Sequence, residues 1–342
     1  MAEEYIAAGS STTDSLSQPA IEPGPAEPSA IHNIFLGPNG IRAGWRLLIF
    51  VLVFFLLGKG FNFTIGHIPP LRDYLKAQNP AEFTPTGVIV SEGLAVVLLV
   101  AACCIMSAIE RRPFGAYGMP MNEALGKRFW QGAPLGFIML SLLLAIMAAL
   151  HGFSLDGVAV GGVAGWKYGA IYFLGFIIVG IFEELSFRGY FQYTLGSGIG
   201  FWPAALLLSI AFGAIHLNNP GEKILGGIMA GSFGLVAAFA LWRTGNLWLP
   251  IGMHAGWDWG ETYFYGTPDS GILAKGHFLN SSPHGANWLS GGSVGPEGSY
   301  LVFAVLIIWV VAIHFLFPGK PKSIEQTDTT ANARLRGAST EV

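Results

Sequence analysis

Three clusters of ionisable residues interrupt apolar sequence, and they carry most of the chemistry open to this chain. In IYFLGFIIVGIFEELSFRGYFQ, residues 171–192, Glu183, Glu184 and Arg188 stand among apolar and aromatic neighbours. Further along, FGAIH ends on His216, and HAGWD runs from His254 to Asp258. An ionised group at membrane depth costs from about 3 to more than 10 kcal/mol, so such groups are used or carefully paired. On a helix, Glu184 and Arg188 stand four apart on one face, in the acid-before-base order that favours an ion pair. Glu183 points about 100° away. One carboxylate is thus available to the arginine, while the other can face a cavity. His254 and Asp258 also stand four apart and share a face.

Residue type limits what this set can do. A carboxylate in a low-dielectric pocket holds a proton more readily, which suits a general base. Two histidines can orient a water, donate to a developing oxyanion or bind zinc. Asp258 can fix one tautomer of His254 or act as a further ligand. Peptide hydrolysis needs a base, a positioned water and an oxyanion donor, and this set can supply all three. Because the groups lie on separate apolar segments, the economical arrangement turns them all toward one shared, wet cavity.

The elements that must position them are membrane helices. The chain has 342 residues, 52% hydrophobic and 11% charged, with 47 glycines. Soluble domains carry about 25% charged residues, so the composition predicts an all-α, polytopic transmembrane bundle. Apolar runs near the 20 or so residues that a bilayer requires give about eight spans: 44–66, 88–109, 131–151, 168–190, 201–217, 223–243, 247–264 and 299–317. LWLPIGMHAGWDWGETYF, in the seventh, is too polar to face lipid.

With both ends inside, the cytoplasmic face holds Arg42, Arg46, Arg111, Arg112, Lys127, Arg128, Arg188, Arg243, Lys320, Lys322, Arg334 and Arg336. The outer face holds Lys59, Arg72, Lys76, Lys167, Lys223 and Lys275. Twelve against six places both termini in the cytoplasm and the Glu183 end of the fourth span toward that side. Trp45, Trp130, Trp166, Trp202, Trp242 and Trp248 fall near span ends, as interfacial aromatic belts do.

EELSFR at 183–188 matches the EExxxR motif of the CPBP family of intramembrane proteases, which includes the type II CAAX prenyl endopeptidases. FGAIH at 212–216 matches its FxxxH motif, and HAGWD at 254–258 matches its HxxxN/D motif. The resemblance covers about residues 168–263. It implies a membrane-embedded endopeptidase acting on a peptide or protein substrate, prenylated in the CAAX enzymes and not necessarily so in bacterial members. Glu183 resembles the water-activating glutamate, His216 the histidine that helps to hold that water, and His254 with residue 258 the oxyanion-stabilising pair. Glu184 and Arg188 resemble structural partners. Where many members have Asn, this chain has Asp258, and an ionised Asp cannot donate to an oxyanion. Asp258 therefore suits a role in orienting His254 or binding metal. A zinc site on His216, His254 and Asp258 and a metal-free glutamate mechanism both stay open.

The remaining sequence frames this core. Residues 1–40 and 319–342 read as disordered tails flanking a membrane domain at 41–318, and no secretory signal is present. The segment ERRPFGAYGMPMNEALGKRFW reads as a basic interfacial stretch on the inner leaflet. Gly, Ser and Pro mark plain outer loops between spans three and four and at 265–298. Cys103 and Cys104 read as two small core residues, Glu92 and Glu261 as interfacial, and Asn218–Asn219 as a helix-ending turn. Gly227 and Gly231 read as a packing groove. Nothing in the charge of −3 suggests nucleic-acid binding. The competing functional class is a catalytically inactive module of the same fold, acting as an immunity or scaffold protein. A proton-coupled transporter ranks lower because no internal repeat is found.

Overall fold

The computed structural model describes residues 34–37, 40–77, 84–219, 221 and 223–318. All eight expected segments are helical. Helix α1 (Ala43–Gly66) is followed by α2 (Pro69–Ala77), α3 (Pro85–Glu110), α4 (Lys127–Ala149) and α5 (Gly162–Glu184). The chain runs on through a π-helical stretch, Leu185–Phe191, into α6 (Gln192–Ile199), and then forms α7 (Phe201–His216) and α8 (Ile224–Thr244). Helix α9 (Trp248–Asp258) is prolonged by a second π-helical stretch, Trp259–Tyr265, before the short α10 (Asn287–Ser290) and α11 (Leu301–Leu316).

Five of these are long and apolar enough to cross a membrane: α1, α3, α4, the continuous stretch Gly162–Ile199, and α8. Helices α7 and α11 are shorter and apolar. The fourth expected span, drawn to residue 190, therefore continues to Ile199, and Glu183 lies well inside a helical run of 38 residues. Helix α9 is buried from Trp248 to Trp257, which explains how so polar a segment is tolerated.

Close backbone packing puts α9 there. Gly132 and Gly136 of α4 face Gly252 and Gly256 of α9. A Cβ at Gly136 would lie 2.0 Å from the Met253 carbonyl oxygen, and one at Gly256 would lie 1.9 Å from that of Ala133. Small residues spaced by four allow this approach in lipid. Gly227 does the same on α8, as expected, against Gly213 of α7.

The two ends of the bundle are built differently. At the end where α1 begins and α11 finishes, Glu110 Oε2 meets Arg46 Nη1 at 3.0 Å and Arg112 Nε at 3.8 Å. Its Oε1 accepts from the Tyr190 hydroxyl at 2.8 Å. The stretch expected to lie on the inner leaflet is instead folded into this end. Tyr117 is buried, Leu247 N–H donates to the Gly118 carbonyl, and Trp248 Nε1 donates to the Pro120 carbonyl. Trp248 is therefore a core residue, whereas Trp130, Trp166 and Trp202 are exposed, as a belt requires.

At the opposite end, β3 (Phe153–Val158) pairs antiparallel with β4 (Leu279–Pro283), with a bulge between Leu155 and Gly157. This sheet ties together two segments expected to be plain loops. Cys103 is buried, but Cys104 is exposed and is not a core residue. Most of the expected tails, with Lys320, Lys322, Arg334 and Arg336, lie outside the described residues. Among those described, Leu36–Gly37 (β1) and Gly40–Ile41 (β2) form a small hairpin ahead of α1.

Candidate active site

The last turn of α5 carries Glu183 and Glu184, and they part as their spacing predicts. Glu184 is fully buried, and its Oε1 takes Arg188 Nη1 at 3.2 Å. The side chain of Glu183 is 23% exposed. Arg188 lies over the Phe212 ring, 4.2 Å from its centroid, so the FxxxH phenylalanine helps to seat the arginine of the first motif. The guanidinium also needs Gly234 on α8, where a Cβ would come within 2.5 Å of Arg188 Nη2.

His254 joins these elements. Its Nδ1 is 3.0 Å from Oε1 of Glu184, the oxygen that Arg188 also holds. An ionised carboxylate only accepts, so Nδ1 donates and Nε2 becomes the atom that carries or releases a proton toward the cavity. Nε2 lies 3.4 Å from Glu183 Oε2 and 3.3 Å from Asp258 Oδ2. Orientation of the ring through Nδ1 therefore comes from Glu184, not from Asp258 as the four-residue spacing suggested. Close approach of α5 and α9 permits this, since a Cβ at Gly180 would lie 3.1 Å from the Ile251 carbonyl oxygen. Rare π-helical turns recur at functional sites, and here one begins directly after Glu184 and the other directly after Asp258.

His216 ends α7, with Nδ1 2.8 Å from the Phe212 carbonyl oxygen. The carbonyl only accepts, so Nδ1 donates and Nε2 is the acceptor. Glu183, His216, His254 and Asp258 all line one cavity of about 570 Å³. Glu184 and Arg188 stand behind it.

The same cavity is lined by residues that the sequence reading placed elsewhere. Glu92 of α3, expected at the interface, faces it, as do Asn218 and Asn219, which also form the expected turn after α7. Asp269, Ser270 and Glu297 reach it from loops. Glu261 is fully buried beside it, where Oε2 accepts from Trp257 Nε1 at 2.8 Å.

Zinc on His216, His254 and Asp258 was one expectation. Among the described residues, no three or more His, Cys, Asp or Glu side chains are grouped to hold a metal ion.

Residues 165–260 match the family model described as Rce1-like, type II CAAX prenyl endopeptidase. No curated protein and no solved structure matches the chain. The matched segment contains EELSFR, FGAIH and HAGWD, and over these residues the chain is similar to the type II CAAX prenyl endopeptidases.

Proposed function

We propose that the protein is an intramembrane endopeptidase in which Glu183 activates a water against a peptide carbonyl. The observation that carries this reading is the meeting of Glu183, His216, His254 and Asp258, from three separate helices, around one cavity. His216 Nε2 accepts from the water and orients it. Glu183 takes a proton as the water oxygen bonds to the carbonyl carbon. The oxyanion that forms accepts from His254 Nε2–H, whose ring is fixed by the Glu184–Arg188 pair behind it. Asp258 holds the same imidazole from the cavity side. Collapse of the tetrahedral adduct breaks the carbon–nitrogen bond, and Glu183 returns its proton to the leaving amine.

No step is routed through a metal. Cleavage is therefore expected to be unchanged by 1,10-phenanthroline, and a loss reversed by added zinc would redirect the mechanism.

The orientation is part of the proposal. Glu92, Asn218, Asn219, Asp269, Ser270 and Glu297 all belong to the end of the bundle opposite that at which α1 begins and α11 finishes. With the lysine and arginine bias placing the termini in the cytoplasm, the cavity receives its substrate from the outer side of the membrane, opposite to the side suggested when the fourth span was drawn to end at residue 190 and not at Ile199.

Glu183→Gln is the direct test, because it keeps the shape and removes the base. We expect the folded variant to lose at least about 100-fold in kcat, as loss of a general base does. Undiminished cleavage of a substrate that the wild type cuts would sink the reading.

A further inference from the structure

One residue of the cavity wall combines an uncommon backbone conformation with hydrogen-bonding groups that the fold leaves unused. Asp269 and Ile272 exchange backbone hydrogen bonds of 3.0 and 2.8 Å, so Ser270 and Gly271 are the central residues of a tight two-residue turn. Their φ values are 47° and 83°, both positive, as a type I′ turn demands. Asn, Asp and Gly suit such positions best, and a residue with a side chain is uncommon there. Gly271 meets the demand freely. Ser270 meets it at a conformational cost that glycine would avoid. What serine adds over glycine is a hydroxyl.

The turn is fixed in place. Thr267 donates to the Glu261 carbonyl through both N–H and Oγ1. Gly271 N–H donates to the Val294 carbonyl at 2.7 Å, and a Cβ on Gly271 would come within 2.4 Å of the Gly221 Cα. Ser270 is 8% exposed and faces the cavity. Among the described residues, neither its hydroxyl nor its backbone N–H has a hydrogen-bond partner. Buried polar groups normally find one. Asp269, next to it, is near enough to Asp258, His254 and Glu183 for all three charges to act on its proton equilibrium. The turn therefore stands close to the groups proposed to carry out hydrolysis.

We propose that Ser270 sets the register of the substrate, its backbone N–H and hydroxyl donating to one main-chain carbonyl oxygen of an extended peptide in the cavity. A carbonyl oxygen only accepts, and both groups of the serine can donate. Contacts of this kind hold the main chain and leave the choice of side chain to other pockets. A round space of 570 Å³ is about 10 Å across, and extended chain advances 3.3–3.6 Å per residue, so the carbonyl belongs to a residue within about three of the bond that Glu183 attacks. The contact exists before attack and during it, so it contributes to binding more than to the chemical step. The inference rests on this cavity being the substrate site of the proposed peptidase.

The test uses the full chain in nanodiscs and a library of dye-labelled peptides with amidated C-termini, from which the tightest binder is kept. That peptide is remade with one peptide bond at a time replaced by an (E)-alkene, which removes the carbonyl without adding charge. Binding and cleavage are read in the same samples. In the wild type, one replacement away from the scissile bond is expected to weaken binding at least about tenfold. Ser270→Gly suits the turn and keeps the N–H. It should weaken the parent peptide about fivefold and shrink the penalty of that one replacement by the same factor. The other replacements should keep their wild-type effects, which reports that the cavity is folded. Where the peptide is cut, Ser270→Gly should raise KM more than it lowers kcat. No bound peptide, no position-specific penalty, or a penalty that Ser270→Gly leaves unchanged would overturn the assignment. Binding only by the free-acid form of the library would give the donors to a terminal carboxylate and would also overturn it. If the coupled penalty appears but no peptide is cut, the role of Ser270 stands and the peptidase reading fails. Cleavage that depends on Glu183 without the coupling leaves the peptidase reading and removes the role of Ser270.

Discussion

The two ends of the bundle handle buried charge in opposite ways. Where α1 begins and α11 finishes, the Glu110 carboxylate is shared between Arg46, Arg112 and Tyr190. Arg243 donates there to the Phe317 carbonyl. Each acid at that end meets a base or a donor that the fold supplies. At the far end, Glu92, Asp269 and Glu297 face a cavity alongside Glu183, Asp258 and His254, with Asp269 accepting from Thr262 Oγ1 and Glu297 from Trp257 Nε1. A fold gains little by gathering like charges, since repulsion and lost hydration both oppose it. The satisfied end therefore reads as architecture. The cavity end, where acids from several elements surround one space, reads as the place where chemistry is done.

The strongest way to break this contrast is to strike the satisfied end. Glu110→Ala leaves two guanidinium groups without their carboxylate, and Arg46 and Glu110 are almost wholly buried, with side chains 7% and 2% exposed. Removing one partner of a buried pair costs about 3–5 kcal/mol. Thermal unfolding in nanodiscs should show the loss, while any variant that remains folded keeps its Glu183-dependent cleavage. If stability is unchanged and cleavage falls, the division between the ends is wrong.

A smaller effect is expected where the two systems touch. Gly234→Ala places a Cβ 2.5 Å from Arg188 Nη2 and 3.0 Å from Ser209 Oγ. Overpacking of this kind costs about 1–3 kcal/mol. Because Arg188 and His254 share one oxygen of Glu184, displacement of the guanidinium also releases the imidazole. Cleavage should fall further than stability alone explains, and the fall should appear in kcat more than in KM. A drop confined to stability would show that Arg188 does not position His254.

How much of this was legible follows from what each residue's neighbours in sequence can report. The five long helices were readable because each needs about 20 apolar residues in a row, which is a local property. The Glu184–Arg188 pair was readable because a four-residue spacing fixes a shared face. The Glu184–His254 contact was not, since seventy positions separate the two and no periodicity links them. Glu92 stands alone in an apolar run, and a lone acid near a span end looks interfacial until a neighbouring helix is placed against it. Asp269, Ser270 and Glu297 come from glycine-, serine- and proline-rich stretches, whose composition signals a loop and not its destination. Gly132 with Gly136 and Gly252 with Gly256 did carry a signal, the same spacing noted at Gly227 and Gly231. It identifies surfaces that pack closely without saying which meets which.

The last comparison concerns two aspartates at the cavity end, whose effects should differ in sign. Asp269 is raised from 3.8 to about 8 by burial and by Asp258, with Glu183 adding to the shift and His254 opposing it. An acid raised in the fold gives stability that is present below its unfolded value and lost as pH rises through the folded value. Asp269→Asn should therefore gain on the wild type between pH 5 and pH 9. Asp156, exposed on β3, is held below 3.8 by hydrogen bonds from Ser282 and Ser154. Its contribution is present above about 4 and lost as pH falls further, and at such exposure it is slight. Asp156→Asn should lower Tm marginally at pH 7 and not at pH 2. The two differences, measured by one thermal method across pH, separate an acid raised by burial and neighbouring carboxylates from an acid served by its own sheet. Slopes of the same sign would mean that Asp269 does not feel the Asp258 carboxylate across the cavity.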